Sequence, residues 1–238
     1  MSARSNRRSR IVGSTAAAIV ALVAVFGAAT PAIAEQPAPI ARYVSLGDSY
    51  AAGQGAGIPL DECLRSTAAY PVLLDSEPRT NLLRHAACEG ATIQEVTTTQ
   101  LSQVNRGTTL VTLTVGANDL GAGAAYAACV PDPTSLTCLA ALEAVTEILA
   151  TGDIATDLTA LIVAIAERAP NAHIVVTDYP IPFQPGLSVI TDYVNQFTMA
   201  LNDQIAAAVF AAALQGVDVE LVSVETAFAG HQVGDADP

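Results

Sequence analysis

Apolar runs of two kinds alternate along this chain. Arg42 to Leu46, Thr109 to Val115, His173 to Thr177 and Val217 to Val224 are short, rich in Val, Ile, Leu and Thr, and flanked by turn residues. Runs of that length and composition read as buried parallel strands. Between them lie longer stretches with helical patterning: Ala68 to Leu74, Thr92 to Gln100, Leu139 to Leu149, Ile154 to Arg168 and Ile190 to Leu214. In one of these, Leu158, Leu161, Ile162, Ile165 and Ala166 recur on one helical face, and Pro170-Asn171 stops it. Strands alternating with helices predict an α/β sandwich of doubly wound type. No internal repeat or low-complexity linker divides the chain. In such a sheet ligands sit beyond the carboxyl ends of the strands. That rule singles out Gly47-Asp48-Ser49, Gly116-Ala117-Asn118-Asp119, Asp178-Tyr179-Pro180 and the tail after Val224.

The N-terminus has a different pattern. Arg4, Arg7, Arg8 and Arg10 precede an uncharged apolar run from Ile11 to Ala29, and Ala32-Ile33-Ala34 offers small residues where a signal peptidase cuts. Residues 1–34 therefore read as a secretory signal and 35–238 as one domain. An uncleaved anchor is the competing reading, but the Ala-richness and the cleavage-like site favour removal, leaving no stable membrane span. The pair Arg7-Arg8 hints at twin-arginine export, although Arg10 stands where an apolar residue is expected. Without residues 1–34 the chain keeps six Arg, no Lys and 23 acids, a net charge of −17. Such a surface repels nucleic acid and anionic headgroups. Four cysteines in an exported chain read as disulfides, and the spacings are too wide for a zinc site. Three pairings are formally possible. Cys129 and Cys138 bracket a Pro-rich loop and form the natural local pair, which leaves Cys63 with Cys88.

The candidate chemistry gathers at the first two strand ends. Ser49 follows a strand behind a glycine and precedes a run of small residues, Ala51-Ala52-Gly53. This puts a hydroxyl at a helix start, where unpaired N–H groups and the dipole end can stabilise an oxyanion. Taken alone, Asp48 or Ser49 reads equally well as a helix N-cap. The Gly-x-Ser-x-Gly elbow is not met, because position 51 is Ala. Asn118 ends the next strand, and its carboxamide can reach across the carboxyl edge; the plainer reading is a turn Asn with Asp119 capping the following helix. Gly90 precedes a helix, where its N–H can point outward, or it is only a turn. The segment Gly53-Gln54-Gly55-Ala56-Gly57 lacks the Lys and spacing of a phosphate-binding loop, so a nucleotide or flavin protein is disfavoured.

Taken together and in this order, Gly47-Asp48-Ser49-Tyr50, Gly90 and Gly116-x-Asn118-Asp119 resemble the first three blocks of the SGNH (GDSL-type) hydrolases. The positions of the four cysteines further resemble the secreted actinobacterial lipase/esterase branch. The resemblance implies a three-layer flavodoxin-like α/β sandwich with a five-stranded parallel sheet, its further edge strand near Asn81 to His85. It implies Ser49 as nucleophile, and an oxyanion hole from the N–H groups of Ser49 and Gly90 and the side-chain amide of Asn118. A small-molecule or lipid ester is the implied substrate, with no cofactor, no metal and a monomeric chain. The family supplies its base from a histidine after the last strand, before a final helix. Here the sequence reaches Pro238 soon after Val224. The expectation is a domain cut short before that block, lacking the final helix and weakly active or inactive. Of the three histidines, His231 alone follows the last strand on the correct side and is the candidate base. His173 stands at the wrong end of its strand, and His85 reads as an edge-strand or surface residue. A non-catalytic secreted binding protein on the same scaffold is the second class. N-terminal sequencing of the exported protein is expected to begin at Glu35; an intact Met1 or Ser2 would overturn the signal-peptide reading.

Overall fold

The computed structural model describes residues 39–225 and 227–236; the signal segment read at 1–34 lies outside them. Five strands form one parallel sheet: β1 (Ala41–Gly47), β2 (Thr80–His85), β3 (Leu110–Thr114), β4 (His173–Thr177) and β5 (Val219–Val222). Their spatial order is β2-β1-β3-β4-β5, with every pair parallel. The chain thus starts in the interior, winds to one edge, and returns across β1 to the other. The edge strand expected near Asn81 to His85 is β2, and the β5 hydrogen-bonded pairing is shorter than the apolar run that announced it.

The helices are α1 (Ser49–Ala52), α2 (Tyr70–Asp75), α3 (Ile93–Glu95), α4 (Ala122–Cys129), α5 (Leu136–Thr151), α6 (Asp153–Arg168) and α7 (Val189–Leu214). The stretch expected to be one helix from Thr92 to Gln100 is α helical only at its start and continues as a π turn, Val96–Gln100. Three successive threonines there return their hydroxyls to the carbonyls of Ile93, Gln94 and Glu95, which competes with the regular ladder. Helix α4 is an addition to the expected elements. Its sequence, AGAAYAAC, has almost no amphipathic contrast to announce it.

The core lies on one face of the sheet. Val44, Leu46, Val111, Leu113, Ile174 and Val176 meet α6 and α7 through Leu158, Ile162, Ile165, Leu201, Ile205 and Ala208, all buried. Helix α7 is long and apolar enough to cross a membrane by length and composition alone. Here, however, its apolar stripe packs into the core. The opposite face is thinly covered by α1 and α2. The described residues after β5 are turns, with one bridge from Phe183 to Val233, and no helix. A groove of about 630 Å³ runs over β3, β4 and β5 on that face, bordered by Tyr70, Leu110, Val175, Val222 and Phe228.

Two disulfides pair Cys63 with Cys88 and Cys129 with Cys138, as the spacing analysis expected. The first ties the loop after α1 to the segment after β2. The second joins the end of α4 to the start of α5.

Gly47 marks where β1 leaves the sheet. Its φ is +137°, and a Cβ there would stand 2.2 Å from the Thr114 carbonyl oxygen of β3. Any side chain would force the two central strands apart. Gly47→Ala is expected to cost about 3 kcal/mol or more, read as a lowered midpoint in urea unfolding; a cost below about 1 kcal/mol would contradict the tight approach.

Candidate active site

The carboxyl ends of β1, β2 and β3 are stitched together by hydrogen bonds that the fold alone supplies. Gln100, from the π turn, donates its Nε2–H to the Gly47 carbonyl (2.9 Å) and accepts the Gly47 N–H on Oε1 (2.8 Å). The same carbonyl accepts from the Cys88 N–H at 3.0 Å. Asp48 N–H donates to the Thr114 carbonyl at 2.9 Å. Gly47-Asp48-Ser49, the Cys88-Glu89-Gly90 turn and the end of β3 are thereby held side by side.

Asp48 lies fully buried. Its carboxylate accepts the Tyr50 N–H on one oxygen (3.0 Å), so Asp48 does cap α1. Its other oxygen accepts the Tyr179 hydroxyl at 2.5 Å. That hydroxyl oxygen in turn accepts the Ala117 N–H at 3.1 Å. One phenol from the end of β4 thus joins the loop after β1 to the loop after β3. Burial pushes the Asp48 carboxyl up to about 6, against the bonds from Tyr179 and Tyr50 that favour its charged form. Burial, with the Asp48 charge beside it, raises the Tyr179 phenol well above its ordinary value, so it stays a donor.

Asn118 donates its Nδ2–H to the Ala91 carbonyl at 3.0 Å, which orients the amide and fastens it to the peptide next to Gly90. Its neighbour Asp119 receives the Ile93 N–H on both carboxylate oxygens, each at 3.1 Å. Asp119 therefore serves α3, not the helix that follows it, because α3 presents its unpaired N–H groups across the gap. Gly121, and no side chain, stands at the start of α4. Gly90 has φ +77°, with open space where a Cβ would sit. Among the described residues, neither the Ser49 nor the Gly90 backbone N–H has an acceptor. Ser49 is half-buried, while Gly90 and Asn118 are exposed.

Ser49 and Asn118 border the same cavity, about 340 Å³, which runs inward between α4 and α7 and is bounded by apolar side chains such as Leu120 and Leu201. Of the predicted site residues, the structure thus brings Ser49, Gly90 and Asn118 to one edge. None of the three histidines borders this cavity. His231 lies in the turns after β5, exposed, its N–H donating to the Phe228 carbonyl. His173, at the amino end of β4, pairs with Asp218 (2.9 Å) and Glu220 (3.2 Å), and these acids raise its pKa. The ring nitrogens of His85 are buried, and that burial lowers its pKa. No group of three or more His, Cys, Asp or Glu among the described residues is placed to hold a metal.

The residues missed from sequence are the supporting ones: Gln100, Tyr179 and Asp48 in its buried role. Tyr179 stood in a strand-end segment that the carboxyl-edge rule had marked. Nothing in a linear sequence, however, pairs it with an acid 131 positions away.

Comparison with known proteins finds relatives over most of the chain. The GDSL-like lipase/acylhydrolase family matches residues 45–238. Lipase 1 of Streptomyces coelicolor is 33% identical, over 98% of this chain and 87% of that protein. The crystal structure of an extracellular lipase from Streptomyces rimosus, 33% identical, superposes with a TM-score of 0.71 over 83% of this chain and 86% of its own. Phospholipase A1 from Streptomyces albidoflavus NA297, 28% identical, gives the same TM-score over 83% of this chain and 85% of its own. The chain belongs to the GDSL-like lipase/acylhydrolase family and is a carboxylic ester hydrolase of that type.

The buried Asp48 has a consequence for stability. Its folded pKa of about 6 exceeds its ordinary value of 3.8. The stability it contributes is therefore present below pH 4 and is lost as pH rises through 6. Asp48→Asn removes this titration. The difference in melting temperature, Asp48→Asn minus wild type, is expected to grow more positive from pH 4 to pH 7. A difference that is flat across that range would show that Asp48 does not titrate there.

Proposed function

We propose that this chain is a secreted serine ester hydrolase that acts through an acyl-enzyme on Ser49. The observation that carries the reading is the set of donors near Ser49: the unpartnered N–H groups of Ser49 and Gly90, and the Asn118 amide tethered to the Gly90–Ala91 segment, with Ser49 and Asn118 bordering an apolar cavity. The Ser49 Oγ attacks the ester carbonyl carbon, and the carbonyl π pair moves onto oxygen. The three donors receive that charge, each contributing on the order of 3–4 kcal/mol to the barrier lowering. Collapse expels the alcohol and leaves Ser49 acylated; water then repeats the sequence and releases the acid.

The hydroxyl proton needs an acceptor within hydrogen-bond reach. His231, the histidine after the last strand, is the proposed base. Because it does not border the cavity, binding and the oxyanion donors are expected to supply most of the rate, about 10³–10⁴-fold over water. Export is supported by the two disulfides and by the basic, apolar and small-residue order of residues 1–34. The excess of acids supports a small uncharged or lipid ester as substrate and argues against nucleic acid.

A fluorophosphonate probe tests the nucleophile without requiring turnover of an ester. Labelling is expected at Ser49 and nowhere after Ser49→Ala; an unlabelled wild type would instead favour a binding protein on this scaffold. On a short p-nitrophenyl ester, Asn118→Ala is expected to lower kcat by about 10²–10³. A wild-type kcat near ~10 s⁻¹, the usual enzyme range, would show that a competent base is present after all.

A further inference from the structure

We propose that the cavity at the end of β2, between the Cys63–Cys88 disulfide and the π turn, binds a phosphate group. This cavity, about 520 Å³, shares no bordering residue with the one beside Ser49. The proposal therefore does not depend on which residue is the nucleophile. After residue 34 the chain has only six arginines against 23 acids. Two of those six, Arg65 and Arg84, border this one cavity together with His85. Among the described residues, no acidic side chain borders it.

Arg65 is held in place before any ligand arrives. It pairs with Asp61 through Nε (2.8 Å) and Nη2 (2.7 Å), and donates from Nη1 to the His85 carbonyl at 2.8 Å. The Cys63–Cys88 disulfide and the Glu89 N–H bond to the Cys63 carbonyl, 3.0 Å, fasten its loop to the segment after β2. These bonds leave further N–H groups on the guanidinium, which carries more donors than they use. Arg84 spends one donor on the neighbouring Leu83 carbonyl at 2.7 Å and keeps the others. Gln103 borders the cavity too, and its amide reaches only a distant Ser102 hydroxyl at 3.5 Å. Burial, and then the Arg65 charge, lower the His85 pKa, so the local field at that wall is positive.

Two planar guanidinia suit an anion with several equivalent oxygens, which each fork can grip by charge-assisted bonds. The acidic surface elsewhere opposes an anion only weakly, because salt screens charges beyond about 8 Å at physiological ionic strength. At ~30 Å³ for a group of water size, phosphorus and its four oxygens fill about a third of the cavity. The remaining room admits a small polar ester of phosphate. The wall also includes Gln100 and Cys88, the two groups that bind Gly47, so a ligand there touches the supports of the turn before Ser49.

Calorimetry on the whole chain at fixed ionic strength, with inorganic phosphate and with glycerol 3-phosphate, tests the site. Saturable binding in the millimolar range is expected. Arg84→Gln, at an exposed position, is expected to weaken it at least about tenfold. Arg106→Gln removes the same charge from the turn before β3, outside the cavity, and is expected to change affinity by less than about twofold. Asp61→Asn frees Arg65 donors and is expected to tighten binding about threefold to fivefold. A tighter fit for glycerol 3-phosphate would mark an ester as the ligand, and equal affinities the free ion; both results support a phosphate site. Absence of saturable binding by either anion, or equal losses in Arg84→Gln and Arg106→Gln, overturns it.

Discussion

Where a parallel strand ends, its backbone leaves the ladder, and N–H and C=O groups lose their partners while still buried. Such groups must be satisfied by something else. In this protein three carboxamides do it by the same device. Gln100 grips both polar groups of Gly47, Asn202 both of Tyr179, and Asn195 both of Phe183. All three amides are nearly inaccessible to water. Each clamp fixes one segment on which the candidate site depends: the turn before Ser49, the tyrosine that reaches Asp48, and the ring that stacks on α4. Removing a clamp would leave two buried groups unpaired, which costs more than the bonds themselves contribute.

On this frame, Asp48 and Tyr179 set the relation between the loops. A buried carboxylate is tolerated only when its oxygens are hydrogen-bonded. Meeting that demand draws Tyr179 and, through it, the Ala117 N–H toward the start of α1. The cost of burying the acid is visible in its raised pKa. The gain is positional: Ser49 and Asn118, on separate strand ends, are held without either spending its own polar groups on the other. Asn118 uses one amide hydrogen on Ala91 and keeps the second, while the N–H groups of Ser49 and Gly90 stay unpaired at a helix start and a turn. Unpaired donors are ordinarily a defect. Under the proposed function they are the donors that would receive developing negative charge.

The two faces of the sheet divide the work unequally. One is sealed by α6 and α7 and supplies the core. The other carries three threonine hydroxyls, Thr112, Thr114 and Thr177, bonded to Tyr70 and to each other, within an open groove bordered mostly by apolar side chains. The candidate site sits at the sheet edge between a sealed face and a thinly covered one. None of the three histidines borders its cavity, and His173 lies at the other end of β4.

The sequence by itself determined the architecture and named the candidate for the reacting group. Period and length told strands from helices, because apolar burial imposes a repeat that neighbouring residues share. The carboxyl-edge rule marked Ser49 and Asn118 as candidates, and only the resemblance to a family joined them with Gly90 into one proposed site. The cysteine pairing was legible from loop length and from elimination. Helix α4 was not, because an Ala- and Gly-rich helix has no apolar stripe, and its contribution is the space it leaves empty. Nor were Gln100 and Tyr179, whose partners lie 53 and 131 residues away. Whether Asp119 caps the helix after it or the one before it, and whether any histidine reaches the cavity, are likewise questions of which groups meet. Local preference acts along the chain and can be read there. Hydrogen-bond satisfaction in the interior acts across it, so only the tertiary structure decided which residues would support Ser49.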